Sequence, residues 1–486
     1  MKEELKRFVN TDLNSWLFFI SYTVYLFVSI INTSFFVVDY QFTMGTKLLI
    51  LSILLLICKE IINTPRSTKE KLGVLLGFAF LLVINFTIGD VVTDSVTWIV
   101  VFIICARDID FEKVVKLTIV VSSILLAVIV FSSFAGIIQN HFDSYVARPR
   151  HWVGFRYASF GPTLLFNISA LVVYIRKEKL GKLELLILGP ANVAMFIMTN
   201  SRLPFYLTIL VLVFAYLSQY RTIPADKLKP LWMLMVASPL IFGSICLWAG
   251  YHYDPNVPRW ASLNATLSGR LRLEYTSLTT RGIKWWPRAF PMSTDGGVFN
   301  PGYNFIDSLY ILVLQEYGII FSILFMVLVI YGLWKMYQRE EYYLLFVSSA
   351  YALFAIIDQL ILGINYNTFW LALGVALFAT EHDKDFLTAN TRHIPISEIE
   401  SIIGSAPARP GGTATRSSAS QRAQMQRTPL KPYTRQTTAS RPVSRSSSDT
   451  SNQAAEIARQ LRQSRRTQNS PYEKTTNRNT RRYRRR

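Results

Sequence analysis

The sequence is poor in cysteine and in charge. Its 486 residues include three cysteines, Cys58, Cys105 and Cys246, and each lies inside an apolar run. Cysteines placed in this way behave as small apolar residues, which excludes a disulfide framework and a cysteine-ligated zinc site. Charged residues make up 17% of the chain and hydrophobic residues 51%. Because the apolar residues come in long unbroken runs, they predict membrane spans rather than the core of a large soluble protein.

The N-terminal region also lacks a signal-peptide cleavage pattern. The charged stretch MKEELKRFVNTDLN leads into an apolar run long enough to span a bilayer, with no small-residue cleavage site. We therefore expect an uncleaved first helix. The apolar runs together predict an all-α, polytopic integral membrane protein with about twelve transmembrane helices. The predicted spans are 15–38, 46–63, 72–89, 91–106, 114–138, 158–175, 184–199, 203–220, 230–250, 308–334, 342–363 and 366–380.

Lysines lie in alternate connections between these spans. They are Lys59, Lys69, Lys71, Lys113, Lys116, Lys177, Lys179, Lys182, Lys227 and Lys229. Because cytoplasmic loops carry an excess of basic residues, these connections and both termini are expected to be cytoplasmic. The long loop 251–305 is then extracytoplasmic, and the chain is expected to be a multi-pass protein of the cytoplasmic membrane.

A basic tail follows the membrane domain. The composition changes near residue 385, which divides the chain into a membrane domain, 1–384, and a Ser/Arg-rich tail, 385–486. Residues 401–486 hold nineteen Lys and Arg against three acidic residues and few aliphatic ones. Such a segment cannot bury enough apolar surface to offset its ordering entropy, so we expect a disordered cytoplasmic tail. Contact with anionic lipid is the favoured expectation. A regulatory protein or RNA is the alternative partner, although no RNA-binding signature accompanies the charge.

Arginine dominates the loops assigned to the outer face. These loops hold two lysines, Lys47 and Lys284, and nine arginines: Arg148, Arg150, Arg156, Arg202, Arg259, Arg270, Arg272, Arg281 and Arg288. A general need for solubility would not separate Lys from Arg by side, whereas a planar guanidinium donates two hydrogen bonds to one phosphate. The outer face is therefore predicted to bind a phosphate or carboxylate ligand. Taken alone, Arg202 also fits an arginine that snorkels to the interface and anchors its helix.

Four motifs occur in the order RHWVGFRYASFG (150–161), TNSR (199–202), SGRLRLEY (268–275) and GYNFIDSLYILVLQEYGII (302–320). In order and spacing they resemble motifs of the bacterial O-antigen polymerase and ligase superfamily, the Wzy-like polytopic enzymes that act on undecaprenyl-diphosphate sugars. The resemblance covers residues 15–380 and leaves out the tail. It implies a glycosyltransferase that polymerises undecaprenyl-diphosphate-linked oligosaccharide repeat units into O-antigen, capsular polysaccharide or exopolysaccharide outside the cytoplasmic membrane.

The resemblance also implies roles for individual residues. Family arginines associated with the lipid diphosphate correspond to Arg150, Arg156, Arg202 and Arg270. The same role is predicted for the neighbouring outer-loop arginines Arg148, Arg272 and Arg281. Ligase members tend to carry a His-Asn pair before the late helix, whereas this chain has Asp307-Ser308, which favours a polymerase. Polysaccharide chain-length regulators and a flippase are the expected protein partners, together with membrane lipids.

The residues themselves support this chemistry. Outward-facing arginines can stabilise the charge of a diphosphate leaving group without a metal or another cofactor. The acceptor hydroxyl needs a general base, and Asp307 is the first candidate because it lies where the long loop meets a span. A helix N-cap explains its position equally well. His151, beside Arg150, is the second candidate. Glu316 is the third, because an acid about two and a half turns into the predicted span is costly.

Two alternative functions remain at this stage. A transporter or flippase for lipid-linked oligosaccharides would suit about twelve helices and an arginine-lined cavity. Alternating access usually accompanies repeated halves and charges near the bilayer midplane. The chain lacks a convincing repeat, and its cations gather on one outer face. A ligase that transfers a finished glycan to another acceptor is the alternative within the same superfamily, and the sequence leaves it open.

Overall fold

A computed structural model describes residues 2–62, 68–89, 94–143, 149–219, 228–292 and 305–378. These residues form α-helices and one short antiparallel hairpin, in which β1 (Phe142–Asp143) pairs with β2 (Arg150–His151). The helices are α1 (Lys2–Ile31), α2 (Phe36–Asp39), α3 (Gly45–Ile62), α4 (Thr68–Thr87), α5 (Ser95–Cys105), α6 (Phe111–Phe134), α7 (Phe160–Arg176), α8 (Lys182–Thr199), α9 (Arg202–Ser218), α10 (Lys229–His252), α11 (Pro258–Thr266), α12 (Arg270–Arg281), α13 (Leu309–Glu316), α14 (Gly318–Gln338), α15 (Tyr342–Phe354) and α16 (Trp370–Phe378).

Six described helices are long and apolar enough to cross a membrane. Their apolar segments are Leu13–Ile31, Glu70–Thr87, Phe111–Phe134, Lys182–Thr199, Lys229–His252 and Gly318–Gln338, and the shorter helices α5, α9 and α15 are also apolar. One face of α14 exposes Ile320, Ile323, Leu324 and Val327. Such a continuous stripe is typical of a surface that meets lipid or another apolar partner. The prediction of a mostly helical chain with apolar helices of membrane-spanning length is confirmed, and every predicted span contains a helix. The tail from residue 385 lies outside the described residues.

The predicted span 308–334 is not one helix. It is divided at Tyr317 and Gly318, where Gly318 has a φ of +80°. A segment of the long loop docks at this break: the Ile319 N–H donates to the Lys284 carbonyl at 2.9 Å, and the Arg288 N–H donates to the Glu316 carbonyl at 2.8 Å. The loop thus satisfies backbone groups that the break leaves without an intrahelical partner.

The predicted span 342–363 also ends early. Helix α15 stops at Phe354, and residues 355–369 form turns that include a 3₁₀ turn at Leu360–Leu362. Asp and Asn residues, which favour turns, punctuate this stretch. The segment is fixed to α7, because the Asn167 side-chain amide donates to the Asn365 carbonyl at 3.0 Å and the Tyr351 hydroxyl donates to Asn167 at 2.8 Å. A buried polar network therefore holds the turns in place.

Charged residues collect at two ends of the helix bundle, here called the lysine end and the arginine end. At the lysine end Lys59 Nζ lies 2.7 Å from Asp108, and Lys177 Nζ lies 2.9 Å from Glu341. The arginine end comprises residues 149–159, the start of α9, α12 and the residues just before α13. Helix α7 runs from the arginine end to Lys177, and its 17 residues span about 25 Å. The two groups of charges are therefore a helix length apart.

Candidate active site at the arginine end

Five charged residues from four segments form the charged cluster: Arg150, Arg270, Glu274, Asp307 and Asp358. The Arg270 Nε atom lies 3.3 Å from Asp307 Oδ2, and these side chains are 19% and 13% exposed. Glu274 and Asp358 are buried. Arg150 and Arg270 both act electrostatically on Asp307, which in turn acts on Glu274 and Asp358. Three carboxyl groups and two guanidinium groups therefore share one site.

The SGR motif positions two members of this cluster. Ser268 and Gly269 have φ values of 59° and 88°, so the chain turns sharply between α11 and α12. Arg270 is the first residue of α12, and Glu274 follows one turn later. Residues four apart lie on the same helix face, so both side chains point toward Asp307 and the rest of the cluster. The sharp turn at Gly269 is what places the start of α12 at the site.

Asp307 does not cap the following helix. The N-cap of α13 is Ser308, and its side chain makes no capping hydrogen bond. The Leu309 N–H instead donates to the Ala355 carbonyl at 3.0 Å, which joins the start of α13 to the end of α15. The Asp307 carboxylate faces Arg270. The N-cap interpretation of Asp307 is therefore wrong, and its position favours a role in the charged cluster.

Burial controls the protonation of these carboxyl groups. It raises the pKa of Asp307, while Arg270 and then Arg150 oppose the rise. Burial also raises the pKa of Glu274 to about 8; Asp307 adds to this rise and Arg270 opposes it. Glu274 therefore retains its proton near neutral pH. A protonated Glu274 limits the buried negative charge beside Asp307, which would otherwise be costly.

Residues 149–159 are fixed against α1 and α6. The Phe35 N–H donates to the Gly154 carbonyl at 2.9 Å, and the Arg156 N–H donates to the Thr33 carbonyl at 2.8 Å. Gly154 has a φ of +82°, and a Cβ there would lie 2.8 Å from the Ile129 carbonyl oxygen. The exposed Arg156 side chain donates to the Asn32 carbonyl at 3.2 Å. Arg150 Nε is buried and has no hydrogen-bond partner among the described residues, so it can donate to a ligand.

The TNSR motif lies beside this segment. Asn200 adopts a left-handed conformation that ends α8, and the Ser201 hydroxyl donates to the Ala158 carbonyl at 3.2 Å. Arg202, the first residue of α9, is exposed and makes no ion pair or side-chain hydrogen bond with any described residue. A cation at a helix N-terminus is unfavourable alone, because the helix dipole is positive there. The same N-terminus with its open N–H groups favours an anion.

The other predicted site residues have different surroundings. Arg148 lies outside the described residues. His151 is exposed, and its ring centroid lies 4.6 Å from that of Phe142 in the neighbouring strand. Arg272 is exposed on α12, and the Arg281 guanidinium lies 4.3 Å from the Phe290 ring centroid. His151 and Arg281 thus pack against aromatic rings, and neither of these ring contacts involves Arg270 or Asp307.

Glu316 is the last residue of α13, whereas Asp307 precedes that helix. Glu316 therefore lies about two turns into the helix that Asp307 precedes, and the break at Gly318 falls just after it. Glu316 neighbours Asp94 electrostatically, and the Tyr317 hydroxyl hydrogen-bonds the same carboxylate. Asp94 also caps α5 by accepting from the Thr97 N–H at 2.7 Å. Glu316 belongs to this second acidic group at the helix break.

Arg288 stabilises the described part of the long loop. Arg288 donates from Nε to the Gln315 carbonyl at 3.1 Å, from Nη1 to the Arg281 carbonyl at 3.1 Å, and from Nη2 to the Gly282 carbonyl at 2.9 Å. These three bonds tie the end of α12 to the end of α13. The Arg288 guanidinium is therefore engaged by backbone and differs in role from the open Arg202.

Sequence reasoning missed two acidic members of the cluster. In the sequence, Glu274 is an isolated acid among the basic residues of the long loop, and Asp358 lies inside the predicted span 342–363. A signal for Asp358 was present, because an acid within the apolar run AIIDQLILG is costly unless it has a partner or a function. In the described ranges, no group of three or more His, Cys, Asp or Glu side chains is placed to hold a metal ion.

No protein-family model, no curated protein and no solved structure matches the chain. Its function is therefore inferred from the chemistry of the arginine end.

Proposed function

We propose that the chain is a glycosyltransferase that polymerises undecaprenyl-diphosphate-linked oligosaccharide repeat units on the outer face of the cytoplasmic membrane. The observation that carries the proposal is the pairing of Arg270 with Asp307 at one end of an apolar helix bundle. Glycosyl transfer from a diphosphate requires a general base for the acceptor hydroxyl and cations that stabilise the diphosphate leaving group. The resemblance of the four motifs to the Wzy-like superfamily supports the same reaction.

The arginines bind the diphosphate of the donor. Arg202 is open, and Arg150 Nε has no hydrogen-bond partner among the described residues, so both have donors for phosphate oxygens. Arg156 lies in the same segment as Arg150, and Arg270 belongs to the charged cluster together with Arg150. As the bond between the anomeric carbon and the diphosphate oxygen breaks, its electron pair stays on the diphosphate. Preorganised guanidinium groups stabilise this developing charge in the partly buried site.

Asp307 acts as the general base. The acceptor hydroxyl oxygen forms the new glycosidic bond to the anomeric carbon, and its proton passes to the Asp307 carboxylate. Undecaprenyl diphosphate leaves with the electron pair of the broken bond. Burial raises the pKa of Asp307, and Arg270 opposes this rise and so favours the ionised form that accepts the proton. Glu274, which retains its proton near neutral pH, leaves Asp307 as the better base.

The proposal includes an orientation and about twelve membrane crossings. The lysine end, with both chain termini, faces the cytoplasm, and the arginine end with loop 251–305 faces outward. The concentration of lysines at one end of the bundle and of arginines at the other supports this orientation. The tail would then meet anionic lipid or a regulatory protein on the cytoplasmic side. Chain-length regulators and a flippase are the proposed partners in the membrane.

A transporter is less well supported than a polymerase. Alternating access favours charges near the middle of the membrane, whereas the charged cluster lies at the end of the bundle beside α12 and the 149–159 segment. A ligase would use similar chemistry with another acceptor, and Asp307-Ser308 in place of a His-Asn pair favours the polymerase.

Surface polysaccharide resolved by size tests the proposed function. Cells that lack the protein should display single repeat units, and the wild-type gene should restore long chains. Asp307→Asn, inserted at normal levels, should not restore them. Loss of all repeat units outside the membrane would indicate a flippase, and polymer left unattached would indicate a ligase. Unchanged polymer in the deletion strain would overturn the proposal.

A further inference from the structure

A cavity of about 410 Å³ lies at the arginine end. It is lined by the C-terminal part of α1 and the residues just after it, Leu49 of α3, the starts of α5 and α7, and the turn segment 359–366. Its volume falls within the range of about 300 to 1,000 Å³ that is typical of small-molecule sites. None of the described residues that line it is charged. The cavity is therefore distinct in chemistry from the charged cluster and suits a neutral ligand.

Aromatic rings form two walls of this neutral cavity. The Tyr25 and Trp98 ring centroids lie 4.7 Å apart, and the Phe160 and Tyr366 rings stack at 6.0 Å. Tyr25, Trp98 and Tyr366 are buried, so their rings are held rigidly. Such rings offer flat apolar surfaces at little cost in conformational entropy. They match a ligand with an apolar face.

Amide groups supply the polar part of the lining. Asn32, Gln359 and Asn365 all border the cavity. An amide group both donates and accepts hydrogen bonds, as does a sugar hydroxyl. A purely apolar ligand would make no use of these amide groups, and an anionic ligand would find no cation among the described lining residues. A pyranose has C–H faces for the rings and hydroxyl groups for the amides, so it fits both parts of the lining.

Tyr366 provides an independent sign of a missing partner. Its side chain is 4% exposed, and its hydroxyl has no hydrogen bond of good geometry to any described residue, although Thr33 and Asn365 lie nearby. A buried hydroxyl without a partner is costly, and most such groups in native proteins bind protein or water. The cavity is where this hydroxyl finds room for a partner, since Tyr366 is one of its lining residues.

The neutral cavity adjoins the charged cluster on two sides. Gln359 lines the cavity, and the preceding residue, Asp358, belongs to the cluster. On the other side, the ring of Tyr157 lies 5.5 Å from that of Phe160, and Tyr157 neighbours Asp307 electrostatically. A ligand in the cavity would therefore lie beside the groups that face the reacting bond.

We infer that this cavity is a sugar subsite, which binds a neutral pyranose residue of the glycan next to the charged cluster. The inference rests on the proposed function for the identity of the glycan as a substrate. The aromatic walls hold the faces of the sugar, and the amides with the Tyr366 hydroxyl bind its hydroxyl groups. The cavity thereby positions the glycan, while the arginines hold the diphosphate.

Saturation-transfer NMR on the purified full chain in detergent tests the subsite. The probes are methyl glycosides of neutral hexoses, N-acetylhexosamines and 6-deoxyhexoses, with a methyl hexuronoside as the charged comparison. At least one neutral glycoside should bind, and the hexuronoside should bind more weakly. Ser95→Trp should abolish binding, because it fills the cavity from the start of α5. Tyr366→Phe should weaken binding about three- to tenfold, the effect of one lost hydrogen bond.

Matched controls separate these effects from general damage. Ser262→Trp places the same bulk on exposed α11, and Tyr331→Phe removes an exposed hydroxyl on α14. Both should bind the glycoside as the wild type does. Absence of binding by every neutral probe, or binding that Ser95→Trp leaves intact, would overturn the subsite.

Binding of undecaprenyl diphosphate, which carries no sugar, distinguishes the two proposals. This lipid should bind the wild type and the Ser95→Trp variant equally, and it should bind Arg202→Ala less tightly. If the lipid binds in this arginine-dependent way but the cavity variants leave glycoside binding unchanged, the subsite fails and the proposed function stands. If glycosides bind in the cavity and the lipid does not bind, the proposed function loses its donor site.

Discussion

The Arg270 guanidinium meets the Asp307 carboxylate across two separate segments, with 3.3 Å between Nε and Oδ2. Arg270 begins α12, and Asp307 precedes α13. Their pairing joins the loop that carries the SGR motif to the helix that follows it. Because both side chains are only partly exposed, the pair is less screened by water than a surface ion pair. The position of one residue therefore controls the protonation of the other.

The pH dependence of polymerisation tests this coupling. Asp307 must be ionised to accept a proton, so activity should fall as the pH drops through its pKa. Arg270→Gln removes the guanidinium that lowers this pKa, so the acidic limb should move to higher pH. Asp307→Asn should reduce turnover on the order of a hundredfold or more. The assay is polymerisation of lipid-linked repeat units by the purified protein.

The exposed Asp254 supplies the control for this experiment. Asp254→Asn changes a carboxylate of the same long loop that accepts only a local backbone bond, from the Asn256 N–H at 2.8 Å. It should retain the wild-type pH profile. An Asp307→Asn variant with normal turnover would show that another group is the base.

Arg202 is predicted to require its guanidinium and not only its charge. Arg202→Ala should nearly abolish long polymer, since the loss of one preorganised donor at a developing anion costs about 3 kcal/mol. Arg202→Lys should be clearly impaired, because an ammonium group cannot donate two parallel hydrogen bonds to one phosphate. Polymer length and membrane abundance are measured together. Arg259→Ala, at an exposed position of α11, should behave as the wild type. Normal polymer from Arg202→Lys would indicate a membrane anchor instead.

Gly318→Ala should destabilise the protein. The φ of +80° at this position is unfavourable for alanine by about 1–3 kcal/mol. The added Cβ would also lie 2.7 Å from the Trp285 carbonyl oxygen. The expected result is a lower melting temperature of the purified protein in detergent. Gly189→Ala is the control, because Gly189 lies within α8 with no heavy atom within 4 Å of the added Cβ. Equal melting temperatures for the two variants would contradict the strain at the helix break.

Thiol labelling in intact cells should reveal the orientation. In a Cys58→Ser background, an impermeant reagent should label Ser262→Cys at the arginine end and leave Lys179→Cys at the lysine end unlabelled. Both positions are exposed on the protein, so permeabilised cells should show labelling of both. The opposite pattern in intact cells would place the arginines in the cytoplasm and remove the basis for extracytoplasmic polymerisation.

Local sequence predicts the helices of this protein better than it predicts the site. Long apolar runs mark helices well, because each helix satisfies its own backbone within the membrane. The break at Gly318 depends on backbone groups of residues 284–288, which are distant in sequence, so no apolar run reveals it. Arg288 illustrates the same limit. As an arginine of a loop predicted to face outward, Arg288 is expected to bind an anionic ligand. Its guanidinium instead donates to three carbonyl oxygens.

The acidic residues of the site show where local patterns fail. Asp307 was identified because it lies at the junction of a loop and a predicted span. Glu274 and Asp358 become important only when folding buries them beside Asp307. Burial and electrostatic neighbours are properties of the tertiary structure, and a single sequence does not contain them in readable form.

Lys59 has a consequence for the order of events during biogenesis. In the folded protein its side chain is fully buried, between Asp108 at 2.7 Å and Glu60 at 3.3 Å. A cation neutralised in this way contributes little to holding the finished protein in one orientation. During synthesis, however, Lys59 emerges together with Glu60 but 49 residues before Asp108, so it first lacks the closer of its two partners. In the proposed orientation, its positive charge can then favour the cytoplasmic side for the end of α3 before Lys59 becomes part of a structural ion pair.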